Sequence, residues 1–474
     1  MSKTPPPVSN AARRAQSASA PGVAARLVAF DLLRAVHGGD AYANLVLPKL
    51  LKASTLDERD RALTAELGYG ALRTEGTLDH VIAACIDRPL AQVDSAVLDV
   101  LRLGTYQLLR TRIEAHAAVS TSVDLTRTVV GEGASKFVNA VLRKVERRGG
   151  DLQAPDIDDD PLGHLAITHA HPRWIVSAFR DALGGDLAQT AAALEASDAR
   201  PEVHLIARPG RITVDELIEA CADAGYDATP GPWSPYAVRL AGGDVTTLRP
   251  IRDGRAGAQD EGSQLAALVA ARANGGGGDV LDLCAGPGGK AALLAGLFRE
   301  SPGARLVAVE QHAHRAELVR RALASATSGS PLLTTVLQAD STSAPWRTQA
   351  FDGVLLDAPC TGLGALRRRP EARWRRQPSD VPALAAVQRA LLDSAIDATR
   401  PGGRITYVVC SPHLAEGRVV VGEALKRRTD VTAVDVRPLL DGVPHLGEGP
   451  WVQLWPHLHG TDAMFVSVLE RRTP

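Results

Sequence analysis

Five cysteines stand at positions 85, 221, 284, 360 and 410 of this 474-residue chain, and two of them sit where chemistry can be done. Cys360 falls in "VLLDAPCTGLG" (Val354 to Gly364), three residues after Asp357 at the end of an apolar run. Cys410 closes a second run, "RITYVVCSPH" (Arg404 to His413). A thiol in either place could be a nucleophile, an acid or base that assists one, or a small apolar filler. Only the thiolate attacks, so the surroundings decide. Cys85 and Cys221 lie inside helical patterns and read as inert packing, and the small size of Cys284 alone could explain its place in a loop. The odd count, the lack of a close pair and the lack of a C-x-x-C argue for reduced thiols. The 13 scattered histidines, His312 and His314 among them, offer no zinc spacing, so no metal is expected.

Upstream, "DVLDLCAGPGGK" (Asp279 to Lys290) reads as a strand, a glycine loop and a helix start. Glycines let backbone approach a ligand, and free N–H groups at a helix start favour a polar or anionic one. A phosphate loop needs glycine where Cys284 stands and Ser or Thr where Ala291 stands, which disfavours a nucleotide triphosphatase. The dinucleotide pattern survives only weakly, with Ala291 as its third glycine. S-adenosylmethionine is the third option. Its ribose wants a carboxylate at the end of the second strand, its adenine a polar group at the third, and its sulfonium and amino-acid end a seat over the glycine loop. Glu310 ends "RLVAVE", Asp340 ends "TVLQAD" and Asp357 ends "GVLLDAP". Any one of these acids could be a mere helix cap; suitable residues at four successive strand ends are much harder to reach by accident.

A methyl donor beside two thiols suggests one reaction. Carbon 5 of cytosine is a poor nucleophile until a thiolate adds to carbon 6, which makes an enamine able to attack a sulfonium methyl. The carbon 5 proton must then leave and the thiol be expelled, with acid and base help. One thiol can attack while the other assists, and a carboxylate near N3 would favour the addition.

These residues need a frame. From Gly278 on, apolar strands alternate with helices as in parallel α/β sheets, whose ligands bind outside the carboxyl ends of the strands. Residues 256–474 are read as that Rossmann-like domain. Residues 23–148 repeat apolar positions at three and four without period-two stretches, predicting an all-α domain. The acidic, Pro- and Gly-containing segment at 149–162 reads as a linker. Residues 163–255 read as a helical connector followed by a small α+β unit, with Thr213 capping a helix. The Pro-, Ser- and Ala-rich residues 1–22 read as a disordered tail.

Composition bounds the rest. With 45% hydrophobic and 23% charged residues this is a globular chain of two to four domains, and no run approaches the length of a spanning helix, so the cytoplasm is expected. The net charge of −1 is silent about nucleic acid. Its distribution is less so: residues 11–150 carry 19 Lys+Arg against 15 Asp+Glu, and "RRRPEARWRR" (Arg367 to Arg376) holds six arginines in ten residues. A solvated face is the plain reading of such a run.

"DLCAGPGGK", "LLDAPCTGLG" and "YVVCSP" resemble the motifs of two-cysteine RNA 5-methylcytosine methyltransferases. "GAQDEGSQLAAL" and "DAMFVSVLER" are similar to flanking segments of the same family, and the helical half, with "KFVNAVLRKV", resembles the NusB RNA-binding fold. Together they look like the RsmB (Sun/Fmu) family acting on small-subunit ribosomal RNA, over nearly the whole chain. The resemblance implies Cys410 as nucleophile, Cys360 as the residue that resolves the adduct, Asp357 on the base and Lys290 lining the site. It implies S-adenosylmethionine held by Cys284, Ala285, Gly286, Pro287, Gly288, Gly289, Lys290, Glu310, Arg315, Asp340 and Asp357. RNA, above all 16S rRNA, is the implied partner of a monomer that needs neither membrane nor metal. Two departures are the valines before Cys410 and "DAMF" where the family has Asp-Gly and two aromatics; neither removes a chemical group. In this frame Arg367, Arg368, Arg369 and Arg373 could neutralise phosphates and Trp374 could stack a splayed base, the alternative being Trp374 packed in a core. The rivals are a transfer-RNA methyltransferase of the same chemistry, a non-catalytic RNA-binding or antitermination factor, and a protein or small-molecule methyltransferase.

Overall fold

The computed structural model describes residues 22–39, 41–343 and 345–473, so the tail expected over 1–22 lies outside them except for Gly22. The chain forms two compact units. One comprises residues up to Ala199 together with Leu366–Arg375; the other comprises Arg200–Ala365 and Arg376–Pro474.

Among the described residues the first unit holds helices and no strand. Seven helices, α1 (Val23–Gly39), α2 (Ala43–Ala53), α3 (Glu58–Arg73), α4 (Glu75–Ala83), α5 (Ser95–Arg110), α6 (Ala115–Val129) and α7 (Glu132–Arg148), surround a core of Leu, Val and Ile residues. Their starts follow from local chemistry: the side chains of Asp57 and Asp94 accept from free amides of the first turns of α3 and α5. Close packing of the same two helices needs Gly70, where a Cβ would fall 2.0 Å from the Tyr106 ring. Inside the bundle Arg102 meets Asp79 at 2.7 Å, Glu75 at 2.8 Å and Asp99 at 3.3 Å, while His37 bridges Asp99 at 2.7 Å and Glu75 at 3.2 Å.

Residues 149–160 are irregular, and the Leu152 carbonyl lies 2.7 Å from His80 Nε2. Helices α8 (Pro161–Thr168), α9 (Arg173–Ala182) and α10 (Leu187–Asp198) then stay with the bundle. Thr77 on α4 donates to the Ile167 carbonyl at 2.6 Å. The helical connector expected at the start of 163–255 therefore groups with the helical unit up to Ala199.

The second unit contains two sheets. The smaller, in the order β2 (Ala228–Pro230), β3 (Ala237–Leu240), β1 (Val203–Ala207), β4 (Ala256–Ala258), is antiparallel throughout. It carries α11 (Val214–Asp223), which starts with Thr213 and Glu216 capping each other's amides as the Thr213 reading predicts. After α12 (Glu261–Ala273) comes the large sheet, formed by β5 (Asp279–Asp282), β6 (Arg305–Val309), β7 (Leu333–Leu337), β8 (Phe351–Asp357), β9 (Thr399–Val409), β10 (Val431–Val434), β11 (Val452–Gln453) and β12 (Phe465–Arg471). Its order is β10-β12-β9-β8-β5-β6-β7, with β11 beside β12. The strands from β7 to β9 are parallel, whereas β12 runs antiparallel between β9 and β10. Helices α13 (Gly289–Leu297), α14 (Ala313–Ala326), α15 (Asp380–Ala398) and α16 (Arg418–Arg427) complete the alternation. Sequence order reverses at β5, with β6 on one side and β8 on the other, which opens a crevice at the strand ends. Among the described residues no helix is long and apolar enough to cross a membrane.

Candidate active site

Two neighbouring strands bring the thiols together. In β8 and β9 Asp357 lies in register with Val408, and the Ala358 amide extends the ladder to the Val408 carbonyl at 2.9 Å. Both chains then leave the sheet at one level, with Cys360 three residues past Asp357 and Cys410 two past Val408. Their sulfurs stand 3.3 Å apart, and both cysteines are free.

Lys290 reaches the same edge from the first turn of α13, its Nζ donating to Asp357 Oδ2 at 2.7 Å. Burial alone would lower its proton affinity, but Asp357, Cys410 and Asp282 outweigh burial and hold the ammonium above its ordinary range. Cys360 is pushed well above the usual thiol range by its hydrogen bond to Cys410, by burial, and by the fields of Cys410, Glu416 and Asp357. The edge thus sets one thiol near a fixed positive charge and keeps the other protonated.

The glycine loop lies alongside. The Leu283 amide bonds the Leu355 carbonyl at 2.8 Å and the Ala285 amide the Val309 carbonyl at 2.8 Å, so the loop begins between strand ends. Gly288 precedes α13 at φ +104°, and a Cβ there would come within 2.9 Å of Ala322 Cβ, so the close packing admits no side chain. Glu310 is buried just past β6; one oxygen accepts the His312 amide at 2.9 Å, and Arg315 Nε lies 3.5 Å from the other. Arg315 also donates to the Gly286 carbonyl at 2.5 Å. Pro287 follows Gly286 in this loop, and Cys284 is half-buried beneath it, its thiol raised by burial and by the carboxylates of Asp282, Asp357 and Glu310. Asp340 lies three residues beyond the end of β7, exposed, with its carboxylate occupied by the Thr342 amide and hydroxyl.

Two functional candidates escaped the sequence reading. Asp282 ends β5, fully buried, and among the described residues no donor closes a well-formed hydrogen bond to either oxygen. Burial and the Asp357 charge raise its carboxyl to about 7, with Lys290 and the Cys284 amide pulling the other way. A carboxylate inside "DVLDLC" was the available signal, since an acid in an apolar strand must have a reason to be there. Glu416, also fully buried, bonds Thr361 beside Cys360. Nothing local in "SPHLAEG" announces a partner 55 residues away.

The arginine run departs from its expected role. Arg373 is fully buried, donates to the Arg73 and Ser197 carbonyls at 2.5 and 2.7 Å, and pairs with Asp198 at 2.7 Å. Arg73 and Ser197 lie in the last turns of α3 and α10, whose end carbonyls lack helical partners and attract a guanidinium. Trp374 packs over Gly76, where a Cβ would lie 2.5 Å from its ring, and Arg367 is buried as well. The expectation that Arg373 presents itself to RNA is therefore corrected, since its guanidinium is spent inside the helical unit; Arg367 is buried and Trp374 half-buried against Gly76. Arg368 is half-buried, and Arg369 is exposed with its guanidinium 5.4 Å from the centre of the Tyr42 ring. Among the described residues no group of His, Cys, Asp or Glu is arranged to hold a metal ion.

Comparison with known proteins identifies the family and the fold. A sequence model of the 16S rRNA methyltransferase RsmB/F family matches residues 270–470, one of the NusB family residues 23–147, and one of the RsmF/B-like ferredoxin-like domain residues 171–246. A Mycobacterium tuberculosis protein named as a methyltransferase is 54% identical over 457 residues, covering 95% of this chain and 97% of that one. Ribosomal RNA small subunit methyltransferase B of Pseudomonas putida is 34% identical over 412 residues, covering 87% and 91%. The crystal structure of PH0851 superposes with a TM-score of 0.77 at 22% identity, over 96% of this chain and 99% of that chain, a likeness of fold.

Proposed function

The chain belongs to the 16S rRNA methyltransferase RsmB/F family, and from that premise we propose that it methylates carbon 5 of a cytosine in 16S rRNA using S-adenosylmethionine. The observation that carries this reading is the pair of free thiols 3.3 Å apart beside the Lys290–Asp357 ion pair at the rim of a glycine loop. A small-molecule or protein methyltransferase has no use for two such sulfurs.

The cofactor reading draws on the carboxylates and backbone around that loop. Asp282 and Glu310 place carboxylates where a cationic ligand with ribose hydroxyls would meet them, and the loop from Cys284 to Gly289 offers backbone to its amino-acid end. Asp340 and Arg315 complete the set. When bound, S-adenosylmethionine supplies an electrophilic methyl group. The rest falls to the chain. Cys410 adds to carbon 6 as the thiolate, with the Lys290 ammonium at the same strand edge. Asp357 accepts a hydrogen bond from N3 once that nitrogen has taken a proton from water, and offsets the charge gained there. Once carbon 5 carries the methyl group, water takes up the carbon 5 proton, the carbon 5–carbon 6 double bond re-forms as the bond from carbon 6 to Cys410 breaks, and N3 returns its proton to water. Cys360, held protonated, donates to the departing sulfur. The target cytosine must be unstacked to reach this edge. Arg368 and Arg369 remain the phosphate contacts of the arginine run.

Cys410→Ser is expected to abolish methyl transfer, a loss of at least about 10³-fold. Cys360→Ala is expected to allow attack and stall release, leaving a covalent protein–RNA species on a denaturing gel. Exchange of those outcomes would exchange the roles. Bisulfite sequencing of total RNA with and without the gene reads the target directly: a cytosine lost from transfer RNA rather than 16S rRNA overturns the substrate.

A further inference from the structure

Glu416 has no part in the chemistry above, yet it is fully buried and its carboxylate is met from two directions. Oε1 accepts the Thr361 amide at 2.7 Å and the Gln388 amide at 3.2 Å, while Oε2 accepts the Thr361 hydroxyl at 2.5 Å. That hydroxyl lies 3.2 Å from Ser411 Oγ. Gln388, on α15, also holds the Pro359 carbonyl at 2.9 Å. Cys360 is thus gripped on both sides, through Pro359 and Thr361, and the same knot touches the residue that follows Cys410. Its far end is anchored too, since the Tyr407 hydroxyl donates to the Glu416 carbonyl at 2.6 Å and the Gly364 amide to the Cys410 carbonyl at 2.9 Å.

We propose that Glu416 is a positioning residue that fixes Cys360 against Cys410, so that the thiol meets the sulfur at the moment the adduct breaks down. The assignment rests on the roles proposed above for Cys410 and Cys360. A buried carboxylate is a costly way to brace a loop that an apolar residue could fill, and charge-assisted hydrogen bonds return that cost as fixed geometry. A displacement of about 1 Å at a reacting group can cost about 10²-fold in rate. The Glu416 charge also helps keep Cys360 protonated.

The test compares Glu416→Ala, Glu416→Gln, Thr361→Val and Cys360→Ala on one RNA substrate, reading kcat, KM for RNA and the covalent species on a denaturing gel. Glu416→Ala should lower kcat about 10- to 100-fold with KM within about twofold, and should accumulate the protein–RNA adduct as Cys360→Ala does. Glu416→Gln keeps an acceptor for the Thr361 amide and should restore at least half of the lost rate. Thr361→Val, which removes one hydroxyl from the knot, should show the same adduct in weaker form and serves if Glu416→Ala fails to fold. Adduct in Cys360→Ala but in neither Glu416→Ala nor Thr361→Val overturns the positioning role. No adduct even in Cys360→Ala overturns the underlying mechanism instead.

Discussion

The interior of the helical bundle and the rim of the large sheet both bury charge, and they treat it in opposite ways. In the bundle Arg102 meets three carboxylates, and both ring nitrogens of His37 face carboxylate oxygens. At the rim Lys290 forms its ion pair with Asp357, and among the described residues no donor closes a well-formed hydrogen bond to Asp282. Buried polar groups cost free energy unless satisfied, so the first arrangement is what folding requires. The second is tolerated only where a partner arrives later, from cofactor or base, and perturbed groups gather at such sites. The rim therefore holds capacity for binding that the bundle has already spent on itself.

The sharpest way to break this contrast is to remove one partner from each side. Arg102→Met would strand Asp79 and leave Glu75 to His37 and Asp99 to His37 and Arg34, and should lower stability by about 3 kcal/mol. Denaturant unfolding followed by helical circular dichroism reads the loss; a change under about 1 kcal/mol would mean that the cluster is ornamental. At the rim the sign should reverse. Asp282 is raised to about 7, so its ionised form is disfavoured in the folded chain, and stability falls as pH rises from about 4 toward 7. Asp282→Asn should raise the melting temperature at pH 8, with the gain vanishing near pH 4, while turnover drops about 10- to 100-fold. A variant equally stable and equally active would show that Asp282 is held for neither cofactor nor base.

The same division explains what could be read ahead of the structure. The bundle is encoded by period, and the cap at Thr213 acts within three residues, so the helices and that start were legible. The strand ends were legible too, because Glu310, Asp357, Cys360 and Cys410 follow apolar runs that end as parallel strands do. What failed was long-range pairing. Arg373 looks like a phosphate ligand until α3 and α10 offer it carbonyls about 300 and 176 residues away. Glu416 means nothing until Thr361 is beside it. The placing of antiparallel β12 between β9 and β10, and the grouping of 163–199 with the bundle, likewise depend on contacts that no local pattern carries.

The smallest expected effect isolates one titration in the bundle. Both ring nitrogens of His37 can donate only in the imidazolium, and its two carboxylate partners raise it to about 9 against the pull of burial. A histidine whose folded value lies above its unfolded one stabilises fully below about 6.5, and that contribution is lost as pH climbs through 9. The gap corresponds to on the order of 3 kcal/mol. Arg34 and Arg102 remain charged beside Asp99 throughout, so the bundle should loosen rather than unfold. Amide hydrogen exchange along α1 and α5, corrected for intrinsic rates, should show protection falling at least tenfold between pH 6.5 and 9, while amides of β8 and β9 stay unchanged. His37→Gln should flatten the fall. Equal pH dependence in bundle and sheet would mean that His37 is not what separates them, and the contrast between spent and reserved charge would then rest on Asp282 alone.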